Sequence, residues 1–510
     1  GAGAGGQGVR LARRGGAGGG LTVPATLMST ATLAPPAPPA YWAPDAAYTG
    51  EFAAFTRLRP APGRIAKLRE AAFARFCERG FPTTKHEEYR QTNLAPVSQR
   101  QVFRLAPPPA PATLQEAAAF LASRPGADWP GTKLVFVDGY FAAGLSGREP
   151  MPAGLVAGNL AAAFAANGSG AAALERAALE HLEQLAGGAG HSLADFNTAW
   201  LADGAWIYVA PGARIAAPVQ IVHVASAAAG TAYMTHPRQL IVAGADSQAV
   251  IVESYFSLGS AAHLTNAVTE ILAEPGAVLE HARLQRENRA AYHLSAVFSR
   301  QAAAAHLTAH ALTFGGALTR NDVHAILDGA GAETVLNGLY VASGAQHMDN
   351  HTVLDHARPS GASREYYRGI LDGRATTAFR GRIIVRPDAQ HTDAVQSDKN
   401  LLLSPDCAAN SDPQLEIRAD DVRCTHGATF GQIDEEALFY LRSRGVDLLA
   451  ARNLLIFAFA AEALGRLRAA PLRRSLEREL FARWTGLEPP DEGTGGSREA
   501  ESGGNGGGHE

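Results

Sequence analysis

The sequence predicts a mainly β protein whose core is a β-solenoid, in which short strands stack turn upon turn. From about residue 204 to residue 430, short runs of alternating apolar residues recur, and each is entered through a turn of small residues. No helical pattern separates the runs, and pairs of runs return with a period near 30 residues, which is typical of a repeat architecture. A β-sandwich also has short strands and turns, but it needs no repeat and rarely exceeds about 200 residues. The pattern therefore favours the solenoid.

Five alanines in the turns define the period. The steps are 32, 30 and 27 residues in the pairs Ala245 and Ala277, Ala332 and Ala362, and Ala362 and Ala389. The remaining gap, from Ala277 to Ala332, is 55 residues, which is about two steps. One turn of such a solenoid cannot bury its inner face alone, so the last turn needs a cap or a partner.

Composition excludes several classes of protein. The chain has 510 residues, enough for a large core and several domains, and its formal net charge of −4 gives no indication of nucleic acid or an anionic membrane surface as a partner. Its three cysteines cannot form a disulfide framework and fit a reducing compartment. No window approaches about 18 uninterrupted apolar residues, so the sequence predicts no membrane span. We expect a cytoplasmic protein.

Two low-complexity ends and an N-terminal region flank the predicted core, which we place at residues 204–433. Residues 1–44 and 488–510 are rich in glycine and other small residues, and we expect both to be disordered. Residues 45–203 show helical spacing followed by strand patterns, so they predict an N-terminal helical or α+β region. Nothing in that region indicates a catalytic or binding site.

Residues 434–487 predict a C-terminal helical domain. Asp434 is a favourable N-cap for its first helix, and a second helix begins near Asp447. The second helix is apolar around most of its circumference, so it is either buried or docks a partner. Phe457 and Phe459 are two residues apart on it and cannot share one face. We expect one of them to pack inward and the other to be free for a partner.

The candidate site lies where the core meets the helical domain. Cys424 and His426 are two residues apart, so on a strand their side chains would point to the same face. A thiol beside an imidazole suits iron, copper, zinc or a sulfur species. Two ligands do not complete a tetrahedral site, and Cys407, in the preceding turn, could supply a third. Because the last turn of a solenoid has open strand edges, we expect this site to lie at an interface.

Two other groups of residues resemble functional sites but favour simpler interpretations. Asp420 and Asp421 could suggest a carbohydrate-active β-helix enzyme, which needs paired carboxylates on one face. They are adjacent and so point to opposite faces, which argues against that function. Three histidines resemble a metal cluster by number, and we interpret them as residues of the solenoid face that bond backbone turns: His347, His351 and His356.

Seven stretches of the C-terminal part of the chain carry a family resemblance. They are Gln346-His-Met-Asp, Tyr367-Arg-Gly-Ile-Leu, Phe379-Arg-Gly-Arg-Ile-Ile-Val, Gln396-Ser-Asp-Lys-Asn-Leu-Leu-Leu-Ser, Pro413-Gln-Leu-Glu-Ile, Ala419-Asp-Asp-Val-Arg-Cys-Thr-His-Gly-Ala-Thr and Phe439-Tyr-Leu-Arg-Ser-Arg-Gly. Together they resemble the SufB/SufD family, the scaffold subunits of the SUF iron–sulfur cluster assembly system. The last two stretches are more similar to SufD than to SufB. With looser similarity upstream, the resemblance covers roughly residues 48–485.

The resemblance implies a fold and two partners. The fold is a right-handed parallel β-helix between helical terminal domains. A SufB-like subunit would pair with the last coils to form a heterodimer, and a SufC-like ATPase would bind the C-terminal helices. A transient iron–sulfur cluster, or iron, would then be held at the subunit interface. The chain has no G-x-x-x-x-G-K-[ST] sequence, so we expect no nucleotide on this chain and a scaffold rather than an enzyme.

The resemblance also assigns residues to the interface. His426 falls on the histidine that the family places there, and we predict that His426 and Cys424 bind metal, with Cys407 as a further cluster ligand. Cys407 lies where SufB usually has its functional cysteine and where SufD-like chains usually do not. A structural adaptor without a cluster site is the alternative function.

Overall fold

The computed structural model describes residues 41–485, apart from residues 45, 62, 125, 148–149, 166–179, 188–189 and 229. Strands take up 39% and helices 25% of the structure, so the protein is mainly β. A β-solenoid of about seven turns lies between an N-terminal α region and C-terminal helices, which confirms the predicted fold class. Disorder was predicted for residues 1–44 and 488–510; of these, residues 1–40 and 488–510 lie outside those described, whereas Tyr41–Trp42 form a strand.

Strands are numbered in chain order. The strands before the core are β1 (Tyr41–Trp42), β2 (Phe81–Pro82), β3 (Arg104–Leu105), β4 (Lys133–Val137), β5 (Tyr140–Phe141) and β6 (Leu155–Asn159). The first strands of the core are β7 (Gly204–Val209), β8 (Val219–Ala225), β9 (Tyr233–Thr235), β10 (Arg238–Ala243), β11 (Gln248–Ser257), β12 (Leu264–Ala273), β13 (Val278–Arg286) and β14 (Tyr292–Gln301). The remaining strands are β15 (His306–Thr313), β16 (Leu318–Leu327), β17 (Glu333–Ala342), β18 (His347–His356), β19 (Ala362–Leu371), β20 (Thr376–Val385), β21 (Asp393–Leu402), β22 (Ala408–Ile417) and β23 (Arg423–Gly431).

Helices lie on both sides of the core in the sequence. Those before it are α1 (Ala46–Leu58), α2 (Gly63–Arg79), α3 (Ala95–Ser98), α4 (Pro111–Ala122), α5 (Leu160–Ala165) and α6 (Ser192–Ala199), with a short 3-10 helix at Glu87–Tyr89. Those after it are α7 (Glu435–Ser443), α8 (Leu448–Leu464) and α9 (Ala470–Thr485). None of the helices among the residues described here is long and apolar enough to cross a membrane.

Two sheets form the solenoid, and the chain alternates between them. The first sheet runs in the order β22-β20-β18-β16-β14-β12-β10-β7-β6, and the second in the order β23-β21-β19-β17-β15-β13-β11-β8-β4-β5. From β7 to β22 in the first sheet, and from β4 to β23 in the second, neighbouring strands are parallel. Each turn therefore contributes one strand to each sheet, so two neighbouring turns bury the inner face that one turn cannot.

The strand register explains the period seen in the sequence. Val278, His306, Glu333 and Ala362 are register neighbours, so consecutive turns are 28, 27 and 29 residues long. The predicted period near 30 is confirmed, because the double step in the alanine series is two turns with Ala305 between them. Ala362 itself lies one position further on than Ala332, because it is already opposite Glu333 in a strand.

Apolar residues fill the space between the sheets. They are fully or almost fully buried and include Ile207, Ile241, Ile271, Val297 and Val323 from the first sheet, and Ile221, Ile251, Leu279, Leu307 and Leu336 from the second. Burying each such side chain stabilises the fold by about 1.5–3 kcal/mol. These residues are the inward half of the alternating pattern, so the sequence pattern and the packing agree.

Helices cover the outer faces of both sheets. The outer face of the second sheet packs against the C-terminal helices through a shared cluster that includes Val252, Ala282, Leu312 and Leu339 from strands and Ile456, Leu464, Leu472 and Leu480 from helices. The outer face of the first sheet packs against the N-terminal helices, where Phe196 and Trp200 meet Leu264 and Leu294. The last turn is less covered than the turns before it.

The C-terminal helices begin where the sequence predicted. The Asp434 carboxylate accepts hydrogen bonds from the backbone N–H groups of the first turn of α7, and Asp447 does the same for α8. The prediction for Phe457 and Phe459 is wrong, because both side chains are half-buried against the cluster beneath the helices. Phe457 packs edge-on against Phe481, with ring centroids 5.2 Å apart. Both phenylalanines therefore pack against the buried cluster that joins the helices to the sheet.

Candidate functional site

The last turn of the solenoid has open strand edges. Among the described strands, β22 (Ala408–Ile417) pairs only with β20 (Thr376–Val385), and β23 (Arg423–Gly431) only with β21 (Asp393–Leu402), so each keeps one unpaired edge. Apolar side chains are also exposed here. The exposed fraction is 42% for Ile417 and 48% for Phe430. An exposed strand edge with apolar side chains is a template for pairing with another chain.

Cys424 and His426 lie together on this last turn. Both belong to β23, in register with Ala394 and Gln396 of β21. Ala394 is fully buried in the core between the sheets, and Cys424 packs against the same core. Since residues two apart on a strand share a face, Cys424 and His426 both lie on the inward face of the strand at the open end. The prediction that they share a strand is confirmed, and His426 is solvent-exposed.

The Cys424 thiol is protonated in this setting. Burial raises its pKa, and the nearby Asp393 carboxylate raises it further. A thiolate is the form that binds metals and attacks sulfur species. A metal that bound Cys424 would have to displace this proton, so its affinity would fall as the pH is lowered.

Cys407 is directed differently from the other two residues. It is buried, and its Sγ lies 3.0 Å from the backbone oxygen of Ser404 and 3.7 Å from that of Leu371. The thiol therefore contacts a backbone carbonyl of its own turn, at Ser404, and one of the preceding turn, at Leu371. Binding of a cluster or metal by His426, Cys424 and Cys407 stays a prediction.

A buried polar pair stands behind His426. Glu365, Gln396 and His426 are register neighbours on β19, β21 and β23, and the Gln396 amide donates a hydrogen bond of 2.5 Å to the Glu365 carboxyl. Burial raises the pKa of Glu365 to about 7. On the facing strand, a Cβ at Gly381 would lie 1.9 Å from the Gln396 amide nitrogen, so this glycine makes room for the glutamine. The buried Glu365 carboxyl, whose pKa is raised to about 7, is thus hydrogen-bonded to Gln396, and Gln396 is the register neighbour of His426.

A second buried polar group lies two and four residues further along β21. The Tyr340 hydroxyl contacts Asp398 Oδ1 at 2.8 Å and Asn400 Oδ1 at 2.9 Å. The Asn400 amide donates to Asp398 Oδ2 at 2.8 Å. Burial raises the pKa of Asp398 to about 6. Sequence reasoning missed these residues, although polar side chains at alternate positions from Gln396 to Asn400 of a core strand were a signal for them.

The three core histidines do not bond backbone turns, so that interpretation is wrong. His347 contacts the hydroxyls of Thr92 and Thr376 at 2.9 and 2.8 Å. His356 contacts the Ser363 hydroxyl at 2.9 Å. His351 contacts Asp322 Oδ1 at 3.1 Å through Nδ1. All three bond side chains because they lie where neighbouring strands or the N-terminal region meet the sheet.

A cluster of ligand-type side chains lies where the N-terminal region meets the first sheet. His191, Asp322 and His324 each place one ligand atom within 4.8 Å of the others. His191 is the N-cap of α6 (Ser192–Ala199), whereas Asp322 and His324 lie on β16 (Leu318–Leu327). Although burial opposes ionisation, the Arg320 guanidinium holds the pKa of Asp322 well below its usual range. Burial lowers the pKa of His324 to about 3, so this imidazole is neutral at pH 7.

The C-terminal helices expose apolar side chains close to the open end. The exposed fraction is 74% for Phe439 and 66% for Leu449, and Tyr440 and Leu448 are also exposed. A groove of about 630 Å³ lies between these helices and the end of β21, and Leu403, Leu438 and Leu449 line part of it. Exposed apolar patches of this kind mark protein interaction surfaces.

These features define a class: β-solenoid proteins whose open last turn carries a thiol and an imidazole beside an apolar helical surface. Comparison with known proteins gives the family. Residues 224–459 match the family model for the SUF system FeS cluster assembly, SufBD core domain, and residues 59–221 match that for the SufBD protein N-terminal region. The chain belongs to the SufBD family.

Individual relatives agree with the family models. The chain is 30% identical to the iron–sulfur cluster assembly protein SufD of Escherichia coli over 408 residues, which covers 80% of this chain and 90% of that protein. It is 29% identical over 369 residues to an iron–sulfur cluster assembly SufBD family protein of Synechocystis, which covers 69% of this chain and 78% of that protein. It is 26% identical over 293 residues to SufD of Bacillus subtilis, which covers 56% of this chain and 65% of that protein. The predicted family resemblance is confirmed.

Proposed function

We propose that this chain is a SufD-like scaffold subunit that helps to build and transfer nascent iron–sulfur clusters, and that it is not itself an enzyme. The observation that carries the proposal is the open last turn of a SufBD-family solenoid, with Cys424 and His426 on the inward face of its final strand. The similarity to two proteins named SufD supports the subunit type. Its three free thiols suit a reducing compartment such as the cytoplasm.

The partner at the last turn is a SufB-like subunit in this proposal. Both final strands, β22 (Ala408–Ile417) and β23 (Arg423–Gly431), keep an unpaired edge. A second solenoid that adds its own final strands there would satisfy those backbone groups and cover Ile417 and Phe430. The Cys424 and His426 positions would then lie at the interface between two subunits.

The partner at the C-terminal helices is a SufC-like ATPase. Phe439, Tyr440, Leu448 and Leu449 are exposed and lie on two consecutive helices, of which the second, α8 (Leu448–Leu464), is anchored to the sheet through its buried face. Anchoring of α8 restricts the motion of Leu448 and Leu449, which lowers the entropic cost of binding there. ATP would be held by that partner and no nucleotide by this chain.

The proposed chemistry uses an incomplete ligand set. Cys424 and His426 supply one sulfur and one nitrogen, and Cys407 a third ligand only if its thiol turns away from the Ser404 carbonyl. Iron in a cluster is tetrahedrally coordinated and takes mostly sulfur ligands. The SufB-like partner would supply the ligands that this chain lacks, so a cluster would be held only in the assembled complex and released as cargo.

His426→Ala tests the proposal in the complex purified with its SufB-like and SufC-like partners. An exposed side chain of this kind contributes at most about 1 kcal/mol to folding, so fold and complex should persist while iron and acid-labile sulfide fall. His306→Ala is the matched control, because His306 is a half-exposed histidine on an earlier strand of the solenoid. If His426→Ala complexes carry as much cluster as the parent, the structural adaptor is the better function.

A further inference from the structure

We propose that His191, Asp322 and His324 bind a divalent transition-metal ion, of the Zn²⁺ or Fe²⁺ type, which joins the N-terminal region to the solenoid. This site is separate from the last turn, since none of its three residues lies on β22 or β23. It involves no residue of the proposed cluster site, so the two proposals stand or fall independently.

The first support is that two buried nitrogen atoms of this cluster have no hydrogen-bond partner of good geometry among the residues that the structure describes. They are Nε2 of His191 and Nε2 of His324. A buried polar group without a partner costs free energy, and such groups in native structures call for an unseen water or ion. Imidazole nitrogen and carboxylate oxygen together are the donor set that zinc and ferrous iron prefer.

The second support is a distance. Nε2 of His191 lies 3.4 Å from Oδ2 of Asp322, which is longer than an ordinary N–H···O hydrogen bond. Two ligand atoms bound tetrahedrally to one zinc, each at about 2.0–2.1 Å, are separated by about 3.4 Å. The spacing of the pair therefore suits two ligands of one ion, and it equally allows a weak hydrogen bond from Nε2–H of His191 to the carboxylate.

The Asp322 carboxylate has a free position for a metal. Its Oδ1 accepts from Arg320 Nη2 at 2.7 Å and from His351 Nδ1 at 3.1 Å. Its Oδ2 accepts from Arg320 Nε at 3.0 Å. An ionised carboxylate has about four lone-pair sites, so one remains on Oδ2, the oxygen nearest His191. The contacts from Arg320 and His351 hold the carboxylate in place, as the partners of a metal ligand do.

The local charge suits a cation. Arg320 is shared between two carboxylates, Asp322 and Asp349, with its Nη1 at 2.5 Å from Asp349 Oδ2. Two carboxylates against one guanidinium leave one net negative charge, and this group lies almost wholly out of water. A divalent ion between the two imidazoles and this carboxylate therefore gains attraction that solvent screens poorly.

The hydrogen bond by which His191 caps α6 opposes metal binding and determines which substitutions can test it. Nδ1 of His191 accepts a hydrogen bond from the backbone N–H of Ala194 at 3.2 Å, which caps α6. Metal binding through Nε2 moves the ring proton to Nδ1, so this contact is given up. His191→Asn removes the ligand while keeping a good N-cap acceptor. His324→Phe removes the other nitrogen while keeping a ring that can stack on Phe298, as His324 does at a centroid distance of 5.2 Å.

The experiment is a titration of the full chain with Co²⁺, followed by visible absorption, and with Zn²⁺ and anaerobic Fe²⁺, followed by calorimetry. A background with Cys424→Ser and His426→Ala removes the last-turn ligands. We expect one equivalent to bind in that background, without a thiolate charge-transfer band, and to raise the unfolding temperature.

Adding either His191→Asn or His324→Phe should weaken the binding at least about tenfold while circular dichroism stays unchanged. His306→Ala, a half-exposed histidine elsewhere on the solenoid, should have no effect. Failure of the background protein to bind one equivalent of any of the three ions overturns the proposal, as does undiminished binding by the folded His191→Asn variant.

Discussion

Replacing Glu365 by glutamine should change the pH dependence of stability. Burial raises the pKa of Glu365 from 4.5 to about 7 in the folded chain, whereas the unfolded chain ionises it at the ordinary value. The folded state thus retains a proton that the unfolded state has lost. The contribution of the protonated Glu365 to the free energy of unfolding is complete below about pH 4.5 and disappears as the pH rises through 7. The difference between a pKa of 4.5 and one of about 7, at 1.36 kcal/mol per pKa unit, makes this contribution to the free energy of unfolding about 3 kcal/mol.

Glutamine keeps a carbonyl oxygen that can accept from Gln396 but cannot ionise. We therefore expect the free energy of unfolding of Glu365→Gln, relative to the parent, to rise by about 3 kcal/mol between pH 4.5 and pH 8. Urea unfolding of both chains at a series of pH values measures this, and infrared absorption of a protonated carboxyl near pH 6 is an independent check. Asp398, whose pKa burial raises to about 6, is present in both chains, and its negative charge adds to the rise in the pKa of Glu365. Parallel pH profiles for parent and variant would refute the reasoning.

Two further substitutions test the packing and the docking surface. Gly338→Ala should lower the free energy of unfolding by about 1–3 kcal/mol, because the added Cβ would lie 2.1 Å from the buried ring of Tyr367. A denaturant titration measures this change. Gly427→Ala is the control, because a Cβ added there would have no atom within 4 Å. Leu449→Asp should weaken ATPase binding about tenfold or more in a pull-down or calorimetric assay, whereas Leu58→Asp, at a position 75% exposed on another helix, should leave it unchanged. Equal binding by both variants would place the ATPase elsewhere.

Local patterns predicted much of this fold because the solenoid repeats its contacts every turn. Alternating apolar residues and small turn residues reflect an inner face that each turn must bury against the next, so the period could be read from the sequence. The C-terminal helix starts were equally local, since Asp434 and Asp447 cap the first N–H groups of their own helices.

What sequence reasoning missed depends on contacts between distant segments. His191 lies 131 residues before Asp322, and nothing in either stretch indicates that a helix cap meets a strand. The prediction that only one of Phe457 and Phe459 packs inward failed for a similar reason. The width of the buried face of a helix depends on the sheet beneath it and on α9 beside it. The spacing of Cys424 and His426 was predictable, whereas the orientation of the Cys407 thiol depends on the backbone carbonyls around it.

The C-terminal helices reach back over strands made much earlier in the chain. Backbone N–H groups of Arg468 and Ala469 both donate to the Glu280 carboxylate at 3.0 Å, although 188 and 189 residues separate them in sequence. During synthesis, strands such as β11 (Gln248–Ser257) and β13 (Val278–Arg286) leave the ribosome with their outer apolar face uncovered until α8 (Leu448–Leu464) and α9 (Ala470–Thr485) emerge. That interval exposes a growing hydrophobic sheet, which is the condition under which nascent chains aggregate or engage chaperones. The outer face of the second sheet is therefore covered only after about 200 further residues have been made.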